Sequence, residues 1–455
     1  MIKRLALIGL AFATATPAFA DPCGMVPPLH VSVDPGSPPI QRVGVQRTYV
    51  MHTRGVETMV LRPGFEGRVE EFGMLIPFPT PPAIRKIEDA TFQHIEAAIA
   101  PPEVNVQIYD PMPMHRGVFD DLAMAPSMAK SSEMAVEEES LALRRDEVRV
   151  LKEEAVGMYQ VAVLEAGSAK ALDTWMADNA YRYPEGMDDV VEDYVAERWC
   201  FVAIKARVGS ADGATPRPGM RTTDTAFPSG ATFDGHVQGM GFRFFTEEPV
   251  VPMRLSVFNG EDPHNVLYML TDEPVRIDDV PEGLVLDQLD GEELHRNLTE
   301  PFAVTWQNGG PNDLVDWQMN QVQVQRNPAP YSGVARDLFA ADMLAARTGR
   351  LSLPFEEEEK ELLRISEAFG MRGAEIDALH NATLTEQKAE AVDGALDDVK
   401  EMHLSVIDGV YPQRVLARQN LTFSTYRLPP LVRALERNDP LKPADIWLSY
   451  PRNGR

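Results

Sequence analysis

The clearest alternation of apolar and polar positions runs from Val156 to Val208. Over Met158–Leu164, Tyr159, Val161 and Val163 share one face with Gln160 on the other, the two-residue period of a pleated strand. Ser168 has the side chain to cap a helix, and Leu172, Trp175 and Met176 follow at the three- and four-residue spacing of one stripe. That stripe predicts a helix ending near Asn179, laid on the sheet with Trp175 as its buried anchor; the competing reading is an exposed aromatic platform with Asp173 and Asp178 beside a ligand. Tyr181-Arg182-Tyr183-Pro184 reads as extended, because a residue before proline is pushed out of the helical region, and Glu185-Gly186 turns the chain. Val190, Val191, Tyr194 and Val195 make a second helical stripe. Trp199 opens a closing strand in which Cys200, Val202, Ile204, Ala206 and Val208 point one way. The face they form with Tyr159, Val161 and Val163 is the predicted seat of the helix.

Elsewhere the pattern is coarser. Arg42–Thr53 and Glu70–Phe78 read as strands around the turn-rich Arg62–Gly67, which predicts a hairpin with a long loop. Glu103–Tyr109 alternates like a strand, and Phe242–Phe245, Met253–Phe258, Val266–Leu270 and Pro274–Ile277 add candidates. The acidic Asp278–Glu293 reads as a solvated connection. Residues 110–147, rich in Met, Ala, Ser and Glu, follow neither period and read as an inserted loop, partly helical towards Leu143. Past Gly309-Gly310-Pro311 the segments Val334–Ala346, Phe355–Phe369 and Leu384–Val406 are helical in composition, and Arg414–Arg418 with Leu421–Tyr426 read as a strand returning to the sheet. The expected class is α+β: a β-rich core of mostly antiparallel strands with an inserted helical pair, plus a helical C-terminal region. The expected division is 1–20 as a leader, 21–308 as the core with its insertion at 110–147, and 309–455 as the mainly helical part.

The central unit carries a resemblance. Its order of Val-Gly and Tyr-bearing strand, Ala-Gly, Leu-x-x-Trp helix, Tyr-x-x-Pro and Tyr-Val helix leading to an aromatic-led strand resembles a bacterial exported family catalogued as domain of unknown function 2330. Upstream, Arg47-Thr48-Tyr49-Val50-Met51 and Glu71–Pro79, an apolar strand ending in Pro-x-Pro, resemble that family's first hairpin. The family has no established activity, so the resemblance implies no functional residue.

Composition and the amino terminus then set the compartment. Lys3 and Arg4, the apolar Leu5–Phe12 and the small-x-small Ala18-Phe19-Ala20 make a cleavable export signal, after which Asp21 begins the mature protein. Pro17 and the shortness of the apolar run argue against an anchor helix, and no later segment has the long apolar run of a membrane span, so a soluble periplasmic or secreted protein is expected. With 455 residues, 44% of them hydrophobic, the chain can bury a full core. Its formal net charge of −26 repels nucleic acid and anionic headgroups, which excludes a nucleic-acid partner and leaves an envelope protein or a ligand.

Local chemistry is sparse. Cys23 and Cys200 are the two cysteines and, in an oxidising compartment, are candidates for a disulfide that would stabilise by on the order of 4 kcal/mol. The other reading makes Cys200 a small buried hydrophobe. Met112, Met114 and His115 gather two thioethers and an imidazole, soft ligands suited to cuprous ion, against the plainer reading of a loop covering a groove. There is no Gly-x-Ser-x-Gly elbow, phosphate loop, dinucleotide fingerprint or His-Glu-x-x-His, and no motif calls for a cofactor. His236, His264 and His295 lie in or near loops with no nucleophile beside them in sequence. The reading is a non-catalytic binding or interaction protein of the cell envelope; the alternatives are a hydrolase of unrecognised type and, more weakly, a copper-handling protein.

Overall fold

The structure, a computed structural model, describes residues 41–428 apart from 110–142, 208–230, 308–320, 362–390 and shorter stretches between elements. In chain order the strands are β1 (Gln41–Arg42), β2 (Gln46–Thr53), β3 (Val56–Leu61), β4 (Gly64–Val69), β5 (Glu71–Phe78), β6 (Ala83–Ile87), β7 (Glu103–Tyr109), β8 (Val148–Val156), β9 (Tyr159–Ala166) and β10 (Cys200–Arg207). They continue with β11 (Ala231–His236), β12 (Gly239–Phe245), β13 (His264–Thr271), β14 (Val275–Ile277), β15 (Val285–Asp290), β16 (Ala303–Gln307), β17 (Gln321–Arg326), β18 (His403–Val410) and β19 (Phe423–Thr425). The principal helices are α1 (Thr91–Ile99), α2 (Ala169–Asp178), α3 (Asp188–Ala196), α4 (Gly291–Thr299) and α5 (Gly333–Thr348).

Two sheets pack face to face between two helical layers. A seven-stranded sheet, β15-β18-β13-β2-β3-β12-β6, faces a four-stranded one, β5-β10-β9-β8. Pairing is antiparallel throughout both, except that β13 runs parallel to β2. Between the sheets, Val50, Met59, Phe242, Leu267 and Ile407 meet Phe78, Val161, Val163, Val202 and Ile204 in one core. The far face of the larger sheet, with Tyr49, Met51, Val60, Tyr268 and Leu404, is covered by Phe92 of α1, Leu294 of α4 and Phe339 of α5. The far face of the smaller sheet, with Leu75, Leu164, Phe201 and Ala203, is covered by Leu172 and Met176 of α2 and by Val191 and Tyr194 of α3. Helices therefore lie on both outsides of a β-sandwich, the α+β class with mostly antiparallel strands and an inserted helical pair that the periodicity predicts.

Several local expectations change. The helices sit on the opposite face of β9 and β10 from the predicted one. Tyr159, Val161, Val163 and the even-numbered residues from Cys200 to Ile204 face the larger sheet, while Phe201 and Ala203 face the helices. The run Phe201-Val202-Ala203-Ile204 is apolar on both sides because this strand is buried on both, so alternation could not choose between them. Trp175 is only partly buried, and the anchoring role belongs to Leu172, Met176 and Tyr194, each 0–1% exposed. Arg42–Thr53 and Glu70–Phe78 do not pair with each other. β2 turns back into β3 through Arg54 and Gly55, at φ 54° and 76°, the left-handed pair of a tight hairpin, whereas β5 pairs with β10 in the other sheet. Arg254–Asn259 is a 3₁₀ helix in place of a strand, and the stretch expected to be a solvated connection contains β15 and the start of α4. Of the expected helix Leu384–Val406, the described residues 393–396 are helical, after which the chain passes through the 3₁₀ turn Asp397–Glu401 into β18, which lies between β13 and β15 in the larger sheet. Gln413–Leu416 is a single helical turn, and β19 pairs with β14 alone.

A buried ion cluster ties α5 to the larger sheet. Arg243 on β12 donates through Nε to Asp342 Oδ1 at 2.9 Å and through Nη1 to Glu356 Oε2 at 2.7 Å. Arg85 on β6 reaches Glu356 Oε1 at 3.0 Å and also bonds Asp342. Arg85 lies opposite Gly241 of β12, where a Cβ would come within 3.0 Å of Arg85 Nε and 2.8 Å of Ile87 Cδ1, so glycine makes the crossing possible. Burial alone would raise the Glu356 carboxyl, but the charges of Arg243 and Arg85 outweigh it and hold it down at about 2. Glu57 on β3 has the opposite environment. It is wholly buried, Oε2 accepts from the Val250 amide at 2.9 Å, Oε1 has no hydrogen-bond partner among the described residues, and burial pushes its carboxyl well above the usual range.

Candidate functional site

The helical layer over the smaller sheet is incomplete, and the gap is shaped by specific residues. α2 starts where Ser168 Oγ accepts from the Ala171 amide at 3.1 Å, and its first amide, Ala169, donates to Glu192 of α3 at 2.9 Å. It ends at Asn179, whose Nδ2 donates to the Trp175 carbonyl at 2.9 Å, while the Tyr181 amide reaches back to Met176 O at 2.7 Å. This tight exit stacks Tyr181 on Trp175, with centroids 5.7 Å apart and planes 30° apart. Beyond α2 the sheet surface is left with small and polar side chains. Ala203 pairs with Ala162, which also pairs with Glu153 on β8, and one row further Lys205 pairs with Gln160.

The result is a cleft of about 400 Å³, lined by Trp175, Asn179 and Tyr181 on one side, Glu153 on the other, and Gln160, Ala162 and Lys205 beneath; Glu154 and Val161, paired with each other on the opposite strand face, complete its margin. Lys205 is 7% exposed; its Nζ donates to the Asn179 carbonyl at 2.5 Å and stands 4.7 Å from the centre of the Tyr181 ring. That contact fixes the chain at the helix exit and so holds the aromatic wall. The volume falls in the range of small-ligand sites, and the lining joins an aromatic face to groups that donate, accept or do both. Chemically the arrangement can hold a small polar molecule. Among the described residues that line it there is no histidine, cysteine, serine or threonine.

A second, smaller recess of about 10 Å³ sits over the Arg85 and Arg243 cluster; it has room for about one water and belongs to the ion network.

Of the sequence-predicted residues, Trp175 lines the cleft, whereas Cys200, His264 and His295 are not in its lining. Met112, Met114 and His115 fall outside the described residues, as do Cys23, the leader at 1–20 and the side chain of His236. Cys200 is buried between the sheets, its thiol donates to the Phe78 carbonyl at 3.4 Å, and burial pushes it up to about 12. His264 lies 2.7 Å from Asp408 at the ends of β13 and β18, and His295 lies 3.3 Å from Asp397; each imidazole has its own carboxylate. Among the described residues no three His, Cys, Asp or Glu side chains form a metal-holding group, and no helix is long and apolar enough to cross a membrane. Glu153 and Gln160 stand seven residues apart on adjacent strands and Lys205 joins them through strand register, so no local spacing marks the set. Trp175 carried the readable signal, as the aromatic platform weighed against the anchor, but Asp173 and Asp178, expected beside the ligand, are not in the lining, and Tyr181 is legible only as extended chain.

Comparison with known proteins gives one match. A family model described as an uncharacterized protein conserved in bacteria, DUF2330, covers residues 37–286. No curated protein and no solved structure matches the chain.

Proposed function

Because the chain belongs to DUF2330, a family of uncharacterised bacterial proteins whose matched span contains the whole four-stranded sheet with α2, α3 and the cleft, we propose that it is a non-catalytic binding protein of the bacterial cell envelope. The observation that carries this reading is the stacked Trp175–Tyr181 wall facing polar groups across about 400 Å³, with no hydroxyl, thiol or imidazole nucleophile among the described lining residues. Export is supported by the leader-like first twenty residues and the cleavage pattern at Ala18-Phe19-Ala20. A hydrolase would need a reactive group close to its base. The His264–Asp408 pair supplies a base and its orienting carboxylate, but it stands at the strand ends, away from the cleft lining.

The reading is tested in two steps. Fractionation of the source bacterium should recover the protein from the soluble periplasm or the medium with Asp21 at its amino terminus; an intact Met1 in the cytoplasm overturns export. A thermal-shift screen of small polar metabolites should find compounds that raise the melting temperature of the wild type and not of Trp175→Ala, since a ligand at a hundred times its Kd stabilises by about 2.7 kcal/mol. Turnover of such a compound would replace binding by catalysis.

A further inference from the structure

We infer that the cleft takes a neutral saccharide ring, an inference that rests on the cleft being a binding site. Charge narrows the candidates first. An anion would meet Glu153 across the opening and a chain with a formal charge of −26. A cation would meet the Lys205 ammonium, which already takes the position over the Tyr181 ring that a bound cation would seek. An acyl chain or other wholly apolar occupant would strip water from Glu153, Gln160 and Asn179 without replacing their hydrogen bonds. A neutral molecule with one apolar face and several hydroxyls fits each constraint. The C–H face of a pyranose lies flat against an aromatic wall such as that of Trp175. Each hydroxyl can donate to the acceptor-only carboxylate of Glu153, and can both donate to and accept from the amides of Gln160 and Asn179. Ala162, on the floor between these groups, leaves room for the ring to descend to the sheet.

Calorimetric titration of the purified protein with glucose, galactose, N-acetylglucosamine and maltose tests this, with choline and inorganic phosphate as charged comparators. At least one sugar should saturate. Trp175→Ala should weaken it at least tenfold, Gln160→Ala several-fold, and Trp175→Phe, which keeps a flat ring and guards against misfolding, should stay within a few-fold of wild type. Absence of saturable binding by all four sugars overturns the saccharide inference. If choline or phosphate binds instead and is lost in Trp175→Ala, the ligand class is wrong while the cleft remains a site. Sugar binding that is unchanged in both Trp175→Ala and Gln160→Ala overturns the cleft itself.

Discussion

Both sheets expose an apolar outer face that must be covered, and the two coverings differ in reach and in fastening. Over the larger sheet lies α5, sixteen residues and so about 24 Å long, held by side chains of Arg85 and Arg243 that enter from the sheet and meet Asp342 and Glu356 with little exposure to water. Over the smaller sheet lie α2 and α3, ten and nine residues, about 15 and 14 Å long, joined to the sheet chiefly by apolar contact and to each other through the capping bond from the Ala169 amide to Glu192. The long, ionically fastened layer leaves only about 10 Å³ of space at the cluster; the short one ends before the sheet does and leaves the cleft. The proposed ligand site would thus be a consequence of incomplete coverage, with stability and recognition on opposite sides of the sandwich.

The sharpest way to break this contrast is to unfasten the first layer. Arg243→Ala leaves Asp342 buried with half its cationic partners and should cost about 3 to 5 kcal/mol, read as a lowered denaturation midpoint. The same cluster sets an acid limit. Glu356, held at about 2 against an ordinary 4.5, contributes stability that is complete above pH 4.5 and lost as pH falls from there towards 2. In Arg243→Ala that part of the pH–stability curve should flatten. In the second layer, Leu172→Ala should cost about 2 to 5 kcal/mol, whereas Trp175→Ala should cost about 1 kcal/mol or less while abolishing ligand stabilisation. Equal losses from both would return Trp175 to the anchor that its stripe predicted.

Two smaller effects sharpen the comparison. Glu57 has a raised carboxyl, so its folded form prefers the proton. The penalty it imposes is absent below about pH 4.5, where the unfolded chain is protonated too, and grows as pH rises. Glu57→Gln should therefore stabilise at pH 7 by about 1 to 2 kcal/mol and lose that advantage near pH 4, a reversal of the Glu356 dependence. Smallest is the exit of α3. Arg198 has φ 63° where the Trp199 amide bonds Tyr194 O and the Arg198 amide bonds Val195 O, a helix end that favours glycine. Arg198→Gly should raise the melting temperature, by about 0.5 to 1 kcal/mol in stability.

What was legible in the sequence follows the same division. The cap at Ser168, the α2 stop at Asn179, the α3 stripe and the strands β9 and β10 are written in local spacing, which needs no knowledge of partners. Which side of β10 would receive the helices was not legible, because both sides are apolar. β8 is an edge strand whose Val150 and Leu151 are exposed among Arg149, Lys152 and Glu153, so its period is hidden by charge and a bulge. The ion cluster joins residues 85, 243, 342 and 356, and the cleft joins residues 153, 160, 175, 181 and 205. Neither set shares a spacing: strand pairing brings β6 beside β12 and Gln160 opposite Lys205, and helices packed on the sheets supply Asp342 in one case and Trp175 in the other.

The position of β18 has a consequence for the order in which the protein can be made. Residues 403–410 are translated after more than four-fifths of the chain, yet they pair on both sides, with β13 and with β15. Until they emerge from the ribosome or, in an exported chain, from the translocation channel, β13 presents an open edge and β15 has no neighbour in its sheet. The growing chain cannot close its larger sheet step by step, and must finish it in a late event that joins residues about 140 positions apart. A nascent chain stalled before residue 403 should be held by chaperones or aggregate through that edge.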